Sequence, residues 1–148
     1  MKKLLLLLPL TCALLATAAT TLISRSGSGG TLTAPVAIGQ KISISAVSLS
    51  GGGTAIMSCP ITAFGAGTYQ WNWKCAGGHL TVNGVVVASV SGTMKLACSG
   101  GGRFSRITCW HSFAGTATAG AVSGPVAITA RGGSHNGPGT VTNFAATW

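Results

Sequence analysis

The chain contains no aspartate and no glutamate in 148 residues. That absence removes glycoside hydrolysis by paired carboxylic acids and the two-carboxylate dyad of the aspartic proteases. A Ser-His-Asp triad would need an asparagine in place of its acid. Calcium and magnesium sites lose their preferred oxygen ligands. With the usual acids and bases missing, the protein is expected not to be an enzyme.

Charge of either sign is scarce. Charged residues make up 6% of the chain, where an ordinary domain has roughly a quarter. The formal charge of +9 comes from nine Lys and Arg with nothing to oppose them. Lys2 and Lys3 belong to the leader discussed below. The others (Arg25, Lys41, Lys74, Lys95, Arg103, Arg106 and Arg131) are scattered, with Arg103 and Arg106 the one close pair. A nucleic-acid binder gathers its positive charge on one face or along one helix, so no nucleic-acid partner is expected. Acid denaturation is largely the protonation of carboxylates that are paired in the native state. A chain without acidic side chains cannot lose stability by that route, which suits an acidic exterior.

Long apolar runs are absent except at the start. Lys2 and Lys3, the apolar stretch Leu4 to Leu15 and the A-x-A site Ala16-Thr17-Ala18 read as a signal peptide over residues 1–18. The protein is therefore expected to be secreted, periplasmic or at the cell surface. Left uncut, Leu4 to Ile23 is long enough to act as a membrane anchor, and membrane association is expected only in that form. Cys12 follows Pro9-Leu10-Thr11 and lacks the small preceding residue that lipidation would need.

Four cysteines remain after the leader: Cys59, Cys75, Cys98 and Cys109. An even number in an exported domain implies two disulfides. Spacing favours 59 with 75 and 98 with 109. A hairpin turning at Gly100 to Gly102 argues otherwise, since it sets Cys98 opposite a residue near 104, and bridged Cα atoms must lie within about 7 Å. The connectivity stays open at this level.

No segment after the leader sustains a 3.6-residue period, and 23 glycines punctuate the chain. Short strands and tight turns are expected. Apolar Tyr69, Trp71, Trp73 and Cys75 alternate with Gln70, Asn72 and Lys74, the period of a strand with one face buried. Asn83-Gly84 between apolar runs predicts a two-residue turn with positive φ at both positions, pairing Val82 with Val85 and Leu80 with Val87. A one-residue slip at Ala46-Val47 predicts a bulge. Residues 19–33 are Gly/Ser/Thr-rich and read as a flexible lead-in, leaving 34–148 as the folded domain. The expected fold is all-β: a small, disulfide-linked β-sandwich or Greek-key barrel.

Aromatic residues are few, at 6%. Tyr69, Trp71 and Trp73 share parity with Cys75 and are assigned to the core. On the strand from Arg103 to Phe113, Ile107, Cys109, His111 and Phe113 share one face, and Trp110 stands with polar neighbours on the other. Exposed flat rings stack on the apolar faces of sugars while amides bind the hydroxyls. Trp110, Arg106, Asn72 and Gln70 are therefore the candidate ligand-binding residues. His79, His111 and His135 lack paired spacing, and no carboxylate is present to orient their imidazoles, so neither a metal nor a cofactor is expected. These residues predict a non-catalytic extracellular or cell-envelope protein that binds polysaccharide or an anionic surface. The alternatives are a self-associating subunit of a surface fibre or coat, joined through strand edges, and a small outer-membrane β-barrel.

Overall fold

The computed structural model describes residues 21–68, 70–103, 106–132 and 137–148. The expected leader at 1–18 lies outside them, as do Tyr69 and His135. Nine strands follow in chain order: β1 (Ser24–Ser28), β2 (Thr31–Thr33), β3 (Lys41–Leu49), β4 (Thr54–Ala66), β5 (Gln70–Val82), β6 (Val85–Ser99), β7 (Thr108–Ala119), β8 (Val122–Gly132) and β9 (Gly139–Thr147). None of the described residues is helical.

Each strand from β3 to β9 pairs antiparallel with its neighbours in the chain. Both β1 and β2 pair with β3 on one side and β9 on the other. They are two halves of one strand, interrupted where Gly29 and Gly30 take φ of 79°, a left-handed conformation that glycine adopts without steric cost. The ladder thus closes as an antiparallel barrel of eight strand positions. The expected all-β, disulfide-linked class holds, but the strands run as a plain meander without a Greek-key crossing. Short hairpin connections such as 50–53, 83–84 and 120–121 favour that order, because a Greek key needs a long return.

Alternation assigns the faces. Leu32, Ile42, Ile44, Met57, Trp73, Leu80, Met94, Leu96, Phe113, Ile128 and Phe144 are buried inside. Their neighbours outside are chiefly Ser, Thr, Ala and Lys. Phe113 has room because Gly92 and Gly115 face each other across β6 and β7. A Cβ on Gly92 would stand 2.7 Å from the Phe113 ring, and one on Gly115 would stand 2.9 Å from it.

The Asn83-Gly84 turn forms as expected, with φ of 50° and 81° and Val82 opposite Val85. The Asn83 side-chain oxygen also accepts a hydrogen bond from the Thr54 N–H at 2.9 Å. Further down the hairpin a register shift pairs Leu80 with Ala88 rather than Val87. The bulge at 46–47 is present: the register shifts between Ile44 and Val47, and Ala46 has φ of 50°.

Both disulfides join sequence neighbours, Cys59 to Cys75 and Cys98 to Cys109. The register objection fails because β6 ends at Ser99 and β7 begins at Thr108, so the turn at Gly100 to Gly102 widens into a longer connection and Cys98 sits directly opposite Cys109. Ile107 falls in that connection and is exposed, not core. The reading of 19–33 as a lead-in is also corrected, since 24–28 and 31–33 are barrel strands. The Ser/Gly composition of 24–28 lacks alternation because β1 is held chiefly by its backbone, and 31–33 has a single buried residue, Leu32, too short a stretch to show a period. Ser24 to Gly27 pair with Thr147 to Phe144, and Gly27 lies so close to Ser48 that a Cβ would strike its carbonyl oxygen.

Candidate functional site

Two outward rows cross β5 to β8. In the first, Gln70 stands opposite Ala97, Ala97 opposite Trp110, and Trp110 opposite Arg131. In the second, Asn72 pairs with Lys95, Lys95 with Ser112, and Ser112 with Thr129. Neighbouring strands lie about 4.8 Å apart. Gln70 and Trp110 are thus on the order of 10 Å apart, with only the Ala97 methyl between them. Trp110 is 47% exposed, and the Arg131 guanidinium carbon lies 4.9 Å from its ring centroid. That contact is a cation–π pair.

The structure therefore brings three of the four expected residues, Gln70, Asn72 and Trp110, onto one wall. Arg106 is not part of the row, and the cation on the indole is Arg131. Residues four apart on one strand are separated by roughly 13 Å, whereas a cross-strand neighbour is about 5 Å away. Arg106 also precedes the start of β7. Neither Arg131 nor Lys95 could be found without the register of β8 and β6. The only sequence signal was parity, which sets both on outward faces.

Gln70, Asn72, Lys95 and Ala97, with Trp71 and Leu96, line a shallow depression of about 200 Å³ beside Trp110. A larger open depression of about 380 Å³ at the β1–β3–β9 seam is lined by Ser26, Gly27, Ser28, Ser48, Leu49, Ser50, Thr142 and Asn143. It offers no ring and no charge. The wall at Trp110 offers an aromatic plane, two amides, an ammonium and a guanidinium. Such a set can hold a ligand having both an apolar face and negative charge.

Inside the barrel behind this wall sits His111, 2% exposed, with Nδ1 lacking a hydrogen-bond partner. Its strand neighbours across the ladder are Leu96 and Ala130. Burial without a compensating charge lowers its pKa below 6.5. His79 faces outward on β5, so His79 and His111 do not converge. No cluster of three or more metal-ligating side chains occurs among the described residues. Compared with protein families, with curated proteins and with solved structures, the chain matches none.

Proposed function

We propose that this is an exported, non-catalytic protein of the cell envelope or exterior that binds an anionic polysaccharide through the Trp110 wall. The observation carrying this reading is the outward Trp110–Arg131 pair, in register with Gln70 across Ala97. A large aromatic side chain left about half exposed beside two amides suits the apolar face and hydroxyls of a sugar. Arg131 and Lys95 add preference for acidic units, and nothing on the chain repels an anion. The two disulfides fit an oxidising compartment.

The fibre alternative needs free strand edges, and closure leaves few. The membrane-barrel alternative needs an outward apolar band about 25 Å tall. Here the outward positions of β6 to β8 are dominated by Ser, Thr and Ala, with Lys95 and Arg131 among them. A pull-down on insoluble acidic and neutral glycans tests the proposal. Wild type is expected in the acidic-glycan pellet, with Trp110→Ala weakening binding about tenfold, the scale of one stacked ring. Equal retention of the two proteins would remove the wall from the account.

A further inference from the structure

Although the cations are scattered in sequence, strand direction collects them. β2, β4, β6 and β8 run toward the end of the barrel that carries the 34–40 and 100–107 connections. Lys41 opens β3 at that end, and Lys74, Lys95 and Arg131 lie in the nearer halves of their strands. Arg103 and Arg106 sit in the connection itself. Of the seven cations outside the expected leader, only Arg25, on β1, lies toward the opposite end.

The same end presents aliphatic side chains to water. Ile38 is 70% exposed, Val36 54% and Ile107 46%. The 34–40 loop is anchored, so this exposure is built in. The Trp73 indole N–H donates to the Pro35 carbonyl at 2.9 Å. Gly39 N–H donates to Ile61, and Ile61 N–H donates back to Gln40. The loop is therefore tied across β4 to β5 while Val36 and Ile38 project outward.

We infer that this end of the barrel docks on an anionic lipid surface, Val36 and Ile38 entering the headgroup boundary while Lys41, Arg103 and Arg106 meet lipid phosphates. Aliphatic tips ringed by Lys and Arg are the pattern of interfacial binding, which combines apolar insertion with attraction to anionic lipid. A hydrated glycan would give Ile38 and Val36 no apolar phase to enter. The opposite end also exposes apolar side chains, among them Val85 and Val86, but has Arg25 alone of the seven cations and supplies an internal comparison. The inference does not rest on the glycan reading, since none of the variants below touches Trp110.

Co-sedimentation with phosphatidylcholine vesicles, with and without phosphatidylglycerol, tests it. Wild type is expected to sediment only with the anionic vesicles. Ile38→Ser keeps the charge and is expected to weaken binding about tenfold. The Arg103→Gln/Arg106→Gln double variant is expected to weaken it about twentyfold, and Val86→Ser should bind as wild type. All three change exposed side chains, and matching melting curves would verify their folds. Absence of vesicle binding, binding indifferent to Ile38→Ser, or equal loss in Val86→Ser would each overturn the inference. So would binding to a soluble acidic glycan with no binding to vesicles. Loss of glycan binding in Trp110→Ala, by contrast, bears only on the wall.

Discussion

At the scale of single residues, His111 complicates the acid tolerance implied by a chain without carboxylates. Its inward parity with Cys109 and Phe113 was legible in the sequence. Its lack of a partner was not, because that depends on what β9 brings against it: Gly139, where a Cβ would stand 3.1 Å from Nδ1 and which has no side chain to offer a hydrogen bond. Burial disfavours the imidazolium, so the folded pKa lies below the unfolded value of 6.5. The unfolded chain then binds the proton more readily in that window. Stability is fully present above about pH 6.5 and falls as the pH drops toward the folded pKa. Its slope is at most about 1.4 kcal/mol per pH unit for one proton. The groups across the ladder from His111, Leu96 and Ala130, do not titrate, while Lys95 and Arg131 lie on the outward face. Thermal melts should therefore show Tm declining through that window in wild type and staying flatter in His111→Leu. A decline of the same size in both proteins would assign the pH dependence elsewhere.

Single elements divide sharply in how much local sequence revealed. The Asn83-Gly84 turn was readable because two adjacent positive-φ residues between apolar runs leave the backbone little choice. Trp73, Lys74 and Cys75 were readable from alternation alone. The β6–β7 pair was not, because its organising feature is a vacancy: Gly92 and Gly115 are opposite each other only once the register is known, and Phe113 covers both. A methyl group on Gly115 would collide with the Ser91 carbonyl oxygen and stand 2.9 Å from the Phe113 ring. Its backbone φ is not in the left-handed region, so the cost is crowding rather than torsional strain. Gly115→Ala is expected to lower stability by about 1–3 kcal/mol, the usual range for overpacking. Tm should fall by roughly 3–10 °C for a domain of this size. Differential scanning calorimetry measures this directly, and an unchanged Tm would mean that the two strands separate more easily than their pairing implies.

At the scale of the whole molecule, the decisive contact joins the two ends of the described chain. Ile23 and Trp148 exchange backbone hydrogen bonds at 2.7 and 3.0 Å, and β1 and β2 fill the gap between β3 and β9. No local pattern announces a partner more than 100 residues away, which is why Ser24–Ser28 read as part of a flexible lead-in. The clustering of cations at one end was hidden for the same reason, since it depends on which way each strand runs. Closure also removes the free strand edges that a chain with so little charge has few means to protect. Unpaired edges template association, and neither β3 nor β9 carries the charge density that would protect an open edge. The close approach of Gly27 to Ser48 gives a way to reopen the seam, because a Cβ there would strike the Ser48 carbonyl and lie 3.1 Å from the Leu49 Cα. Gly27→Val should push β1 away from β3, lower Tm and expose both seam strands. Size-exclusion chromatography with light scattering would then show dimers and larger species growing with concentration, where wild type stays monomeric. A Gly27→Val protein that remains monomeric at every concentration and melts with wild type would show that β1 contributes little to closing the barrel.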